Sequence, residues 1–127
     1  MDLGYIIPAT TQNQRKNVVS QVPASGNAET MTADQLRGGY INAGASALAG
    51  YALTTPTGTQ LSAEFPDIAI GQTFEVYINN AIAQEMTWTA GATVTVVGTA
   101  TLTASRASKA VFLCTAANTW KTYLIVN

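Results

Sequence analysis

Histidine is missing from the chain altogether. Its absence removes the usual general base near neutral pH, the commonest metal ligand and every Ser–His or Cys–His nucleophile pair. Cysteine occurs once, at Cys114, so no intrachain disulfide can form, and stability must come from packing or from assembly. Charge is scarce as well: 10% of positions are charged, against about a quarter in an ordinary soluble domain. The basic residues Arg15, Lys16, Arg37, Arg106, Lys109 and Lys121 are scattered and the net charge is −1, which leaves no electrostatic footprint for nucleic acid. No apolar run approaches the roughly 20 residues that span a bilayer. The start, Met1-Asp2-Leu3-Gly4-Tyr5, lacks the basic stretch of a secretion signal. The expectation is a protein with no membrane partner, made in the cytoplasm and kept there until it joins something.

What fills the deficit is threonine, alanine, glycine and the amides. The chain has 127 residues, 47% of them hydrophobic, a length that suits one domain with its own core. Threonine, branched at Cβ, packs well on a pleated sheet. A surface this poor in charge reads either as an exterior largely covered by neighbours or as a small acidic domain kept soluble by hydroxyls.

Residues 1–31 have little periodicity and are broken by Pro8, Pro23 and Ser25-Gly26-Asn27. They read as an extended N-terminal arm, with the remaining residues 32–127 as the folded domain. Two apolar clusters in the arm, Tyr5-Ile6-Ile7 and Val18-Val19, are too small for a core and are the candidate partner-binding residues of an arm that either orders on binding or frays. Thr32-Ala33-Asp34-Gln35 fits a capping box and predicts a helical turn before Gly38-Gly39. The stretch from Asn42 to Ala47 has loop composition, and Tyr51-Ala52-Leu53-Thr54 reads as a strand. Thr57 with Gln60, then Leu61 and Phe65 at i, i+4 before Pro66, predicts the one convincing short helix, its apolar pair closing the end of a sheet.

From Gly71 the period changes to two. Phe74, Val76 and Ile78 alternate with Thr73, Glu75 and Tyr77, and the pattern resumes through Met86–Ala90, Thr93–Val97, Thr99–Thr103, Ala110–Cys114 and Trp120–Val126. The fold class expected is all-β: an antiparallel β-sandwich or jelly-roll-like barrel with one short helix and the N-terminal arm. Val111–Cys114 and Tyr123–Val126 are apolar on both faces, so these strands are either central or covered on their outer side by a second subunit.

Little in the chain points to catalysis. Cys114 sits in Val111-Phe112-Leu113-Cys114 and reads as a small buried hydrophobe. Glu64 and Asp67 bracket Phe65-Pro66, but two carboxylates fall short of the six to eight oxygens that calcium takes. Glu75 and Glu85 are expected on outward positions of adjacent strands, within reach of Lys109, Lys121 or Arg106. Gly38-Gly39 and Gly71 fit no phosphate-loop pattern. Trp88 and Trp120 share the apolar register of Met86 and Leu124, which assigns them to the core rather than to a sugar-stacking platform. The reading is non-enzymatic, with no catalytic, cofactor or metal residues.

The segment from Thr32 to the end resembles a domain of small structural proteins of tailed bacteriophages. The resemblance is carried by Leu53-Thr54-Thr55-Pro56-Thr57, by Gly71-Gln72-Thr73-Phe74-Glu75-Val76-Tyr77-Ile78-Asn79-Asn80, by Gly91-Ala92-Thr93-Val94-Thr95-Val96-Val97-Gly98-Thr99 and by Ala117-Asn118-Thr119-Trp120. These motifs specify a β-fold and no catalytic site. The resemblance implies a head decoration (cement) protein: a homotrimer on the outer surface of the virion head that binds the major capsid protein and bridges its subunits. The alternative it implies is a head-fibre or tail-appendage module with a glycan-binding role. In either case the arm, with Tyr5, Ile6, Ile7, Val18 and Val19, is the element expected to reach a neighbour.

Overall fold

As the chain advances, its strands alternate between two sheets. The computed structural model describes residues 19–22, 28–44 and 51–126. In chain order the elements are β1 (Val19–Val22), β2 (Ala28–Thr30), α1 (Ala33–Arg37), β3 (Tyr40–Ala43), β4 (Ala52–Thr54), α2 (Gly58–Glu64), β5 (Thr73–Asn80), β6 (Met86–Thr89), β7 (Val94–Val97), β8 (Thr101–Leu102), β9 (Ala107–Ala116) and β10 (Thr119–Val126). One sheet has the order β1-β3-β5-β9-β10-β7 and the other β2-β4-β6-β8. The protein is mostly β, and the sheets do not close into a barrel.

The direction of pairing departs from the antiparallel expectation. β1, β3 and β5 run parallel, as do β2, β4 and β6, and β7 lies parallel to β10. Antiparallel pairs are confined to β5/β9, β9/β10 and β6/β8. A period of two shows which side chains share a face and says nothing of strand direction. In the first half of the chain each strand is followed by one in the opposite sheet, so the next strand of the same sheet arrives pointing the same way. That geometry yields parallel neighbours without a long crossover helix.

The winding is built from a repeated unit, in which the helical turn expected after Thr32 is a five-residue helix. Thr32 caps α1: its Oγ1 accepts from the Gln35 N–H at 3.1 Å, while Gln35 Oε1 accepts from the Thr32 N–H at 2.8 Å. Thr57 and Gln60 repeat the arrangement on α2 at 3.2 and 3.0 Å. Each box is followed by a leucine with no exposed surface, Leu36 and Leu61, and each helix leads to a Tyr-Ile-Asn strand, Tyr40-Ile41-Asn42 and Tyr77-Ile78-Asn79. These two strands pair residue for residue, as do Ala28–Thr30 and Ala52–Thr54. Thus β2-α1-β3 and β4-α2-β5 are two copies of one unit, stacked side by side. Asn79 Nδ2 donates to Asn42 Oδ1 at 2.8 Å, an amide contact between equivalent positions.

The core lies between the sheets. Phe65, just after α2, stacks on Phe74 of β5 with centroids 4.1 Å apart, and Phe74 stacks on Phe112 of β9 at 4.8 Å. Trp120 meets Phe74 edge-on at 5.7 Å, and Trp88, from the four-stranded sheet, meets Phe112 edge-on at 6.1 Å. Truncating one such ring to alanine costs about 3–5 kcal/mol. Leu61 and Phe65 are both buried, so the i, i+4 pair does seat α2 on the core. At the far end of β5, buried Asn80 ties β5 to the segment around β8. Its Nδ2 faces the carbonyls of Gln84, Leu102 and Thr103 at 2.8, 3.3 and 3.2 Å, and its Oδ1 accepts from the Ile82 N–H at 3.1 Å.

Part of the segment read as an arm belongs to this scaffold. Val19–Val22 is the end strand of the six-stranded sheet, Ala28–Thr30 is the end strand of the other, and Met31 is buried. Tyr5, Ile6, Ile7 and Val18 lie outside the described residues.

Candidate interaction face

Alternation along the strands gives the six-stranded sheet an inner and an outer face. Inward go Phe74, Val76, Ile78, Ala110, Phe112, Cys114, Trp120, Thr122 and Leu124, all buried. Outward go Tyr40 and Asn42 on β3, Glu75, Tyr77 and Asn79 on β5, Lys109, Val111 and Leu113 on β9, and Lys121, Tyr123 and Ile125 on β10. The pairing registers align these into columns across the strands. Tyr40, Tyr77, Lys109 and Ile125 form one. Glu75, Val111, Tyr123 and Val97 form the next, and Thr73, Leu113, Lys121 and Thr95 the one beyond.

This outer face mixes apolar and polar side chains in about equal number. Tyr77 is 50% exposed and Ile125 51% exposed, and Tyr40, Val97, Val111, Leu113 and Tyr123 around them are half-buried. Exposed apolar side chains of this kind make the face a candidate for contact with another surface. The charges on the face are Glu75, Lys109 and Lys121. Lys109 Nζ stands 3.6 Å from Glu75 Oε1, and Lys121 has no carboxylate partner among the described residues. An exposed pair such as Lys109–Glu75 contributes about 1 kcal/mol at most, so it tolerates the face and does not create it.

The other residues singled out from the sequence fall elsewhere. Val19 opens β1, where its backbone pairs beside Tyr40; it is the one arm residue of the predicted set within the described part. Glu64 is engaged by Arg37, whose Nε donates to Glu64 Oε2 at 2.7 Å, whose Nη2 donates to the Glu64 carbonyl, and whose guanidinium lies 4.7 Å over the Phe65 ring. This joins α1 to α2 and turns Glu64 to a structural task. Glu75 and Glu85 are not on adjacent strands: β5 and β6 belong to different sheets, and Glu85 is exposed just before β6. Trp88 and Trp120 are core residues, each 1% exposed. Cys114 is buried, its thiol 3.5 Å from the Ala116 carbonyl.

Open recesses are lined by other residues. One, about 560 Å³, lies between the start of α1 and the outer side of α2, lined by Met31, Asp34, Gln60 and Glu64 among others. The other, about 330 Å³, is lined by Phe65, Ile68, Ile70, Cys114 and Asn118 among others. Among the described residues, no three His, Cys, Asp or Glu side chains group closely enough to hold a metal ion, and no helix is long and apolar enough to cross a membrane.

The outward register of Tyr77 and Ile125 was visible in the sequence, and so was the double-sided apolar character of Val111–Cys114 and Tyr123–Val126. Tyr40 was missed; the sequence offered one hint, the repeat of Tyr40-Ile41-Asn42 as Tyr77-Ile78-Asn79, and the pairing of the two strands is what places it. Comparison with protein families, with curated proteins and with solved structures finds no match.

Proposed function

We propose that this chain is a non-enzymatic viral structural protein of the tailed-phage head-decoration (cement) kind. In this reading it binds the outer surface of the head, contacts the major capsid protein and bridges its subunits, as a self-associating, trimeric β-sandwich. The observation that supports the reading is the outer face of the six-stranded sheet, where Tyr40, Tyr77 and Ile125 stand in one column and Val111 and Tyr123 in the next, with Glu75, Lys109 and Lys121 among them. Exposed aromatic and aliphatic side chains on a charge-poor chain suit a protein whose task is contact with other protein. Many modest contacts repeated by lattice symmetry add through effective concentration, which lets a small protein reinforce a large shell. Neutral contacts are also little weakened by salt.

The test is reconstitution. Purified protein added to heads that lack it should bind saturably, lie on the outer surface in a cryo-EM reconstruction, and raise the temperature at which the heads release their contents. Absence of binding to heads, with density on the tail instead, overturns the reading.

The tail-appendage alternative with glycan binding has one observation in its favour. Tyr40 and Tyr77 lie side by side on the exposed face next to the hydrogen-bonded Asn42–Asn79 pair, a combination of aromatic surface and amides that suits a sugar. Both tryptophans are in the core, so a sugar titration has to be read on tyrosine or by calorimetry.

A further inference from the structure

We infer that the outer edge of β2 is the docking site of this chain's own Tyr5-Ile6-Ile7, which adds to the four-stranded sheet as a parallel strand. Those three residues lie outside the described part. Their sequence context, the register of β1 and the edge that β2 presents point there, independently of the cement reading.

The sequence carries the repeated unit a third time. In β2-α1-β3 the box residues Thr32 and Gln35 precede Tyr40, the first residue of β3. Thr11, Gln14 and Val19, the first residue of β1, repeat that spacing, each 21 residues earlier. Val19 also pairs with Tyr40, and Ser20, Gln21 and Val22 continue the pairing at the same offset. A Thr-x-x-Gln tetrad alone carries little information, since two residues define it. Here the offset of the tetrad coincides with the offset set by strand pairing. The unit departs at Arg15, which stands where Leu36 and Leu61 are. The terminal member of a stack meets solvent on one side, and its sequence is atypical for that reason.

Stacking then places the first strand of this unit. In the two described units the last strands pair with each other, β3 with β5, and so do the first, β2 with β4, all in parallel. β1 is the last strand of the third unit and lies beside β3, so that unit's first strand belongs beside β2. Ahead of Thr11, Tyr5-Ile6-Ile7 is the run of strand-favouring residues, and Pro8 ends it. Eleven residues separate Ile7 from Val19, against nine between Thr30 and Tyr40. The chain is long enough to make the same crossing.

β2 has backbone groups to receive it. The Met31 N–H, just past β2, donates to the Thr54 carbonyl of β4 at 2.8 Å. Backbone groups alternate sides along a strand. Ala28 and Thr30 therefore turn theirs away from β4, to a side where no strand lies among the described residues, and both residues are exposed. An open edge pairs with extended chain that reaches it. A segment tethered to the same chain has the advantage of effective concentration over a second copy.

The experiment is amide hydrogen exchange by NMR on the full chain and on two full-length variants. Ile6→Pro removes a backbone N–H from the added strand, and Thr11→Ala removes the box hydroxyl. The Met31 N–H, bonded to β4, reports that the domain is folded. In the wild-type chain the Thr30 N–H is expected to exchange at least about tenfold more slowly than an open amide, at every protein concentration. It should speed up by at least about tenfold in Ile6→Pro and by less in Thr11→Ala, with Met31 protected throughout. Nuclear Overhauser contacts between residues 5–7 and Ala28–Thr30 in the wild-type chain identify the strand without any substitution. Their absence overturns the inference, as does a Thr30 amide that is open in wild type or unchanged in a folded Ile6→Pro variant. Protection that is lost on dilution assigns the strand to a second copy and overturns it too.

Discussion

The indole N–H of Trp88, on the four-stranded sheet, donates to Oγ1 of Thr122, on the six-stranded sheet, at 3.3 Å, with both residues buried. The bond satisfies a tryptophan that would otherwise carry its polar edge into the core, and it sits beside the Trp88–Phe112 ring contact. Thr122→Val keeps the branched shape and removes the acceptor. Its expected cost is about 1–3 kcal/mol, measured by chemical denaturation, because a buried donor is left without a partner. A change near zero would show that the sheets are held by ring packing alone.

Tyr51 gives the fold an alkaline limit. Burial, and secondarily the carboxylate of Glu29, push its phenol up from 10.0 to about 12. A folded-state value above the unfolded one contributes stability that is fully present below pH 10 and is lost as pH rises towards 12. The stability difference between wild type and Tyr51→Phe should therefore be flat up to about pH 10 and then shift in favour of the phenylalanine variant, by on the order of 2 kcal/mol. Denaturant titrations of both proteins at neutral pH, pH 10 and pH 12 test this; parallel curves over that range would contradict it.

Gly58 is the first residue of α2, a position where alanine is ordinarily welcome. Here its N–H donates to the Ala92 carbonyl at 2.9 Å, and a Cβ would run into the Asn118 carbonyl oxygen and Thr93 Oγ1. Gly58→Ala is expected to cost more than about 2 kcal/mol because backbone must move. Thr59→Ala, one residue on and exposed, should stay within about 0.5 kcal/mol. Thermal melts of the pair isolate the close approach from helix propensity.

Ser108 faces the core from β9, and among the described residues its buried Oγ has no hydrogen-bond partner. An unsatisfied hydroxyl is a cost that alanine removes. Ser108→Ala should be neutral or stabilising by up to about 1 kcal/mol, read as a raised denaturation midpoint at unchanged slope. A clear loss of stability would mean that the hydroxyl is satisfied in solution, as by a buried water.

The capping boxes and the long strands were legible without coordinates because their causes are local. Thr57 needs only Gln60, three residues on, to close its box, and Phe74, Val76 and Ile78 need only their own alternation to reveal an inward face. The shorter elements were not. Asn42 and Ala43 read as the start of a loop, because so short a segment carries too little pattern, and Tyr40–Ala43 is a strand because β1 and β5 flank it on both sides. Val19–Val22 and Ala28–Thr30 read as arm for the same reason.

The sequence by itself determined that the fold is mostly β, that α2 is capped by Thr57 and stops before Pro66, that Trp88 and Trp120 are core residues, and that the usual histidine-dependent chemistries are excluded. These follow from residue type and short-range periodicity. Tertiary structure alone decided that β1, β3 and β5 run parallel, that Glu75 and Glu85 lie on different sheets, that Arg37 holds Glu64, and that Tyr40 joins Tyr77, Tyr123 and Ile125 on one outer face. The physical reason is that strand direction and the choice of sheet are settled by where the chain returns after each turn. That return is governed by packing between residues far apart in sequence, which no local pattern records.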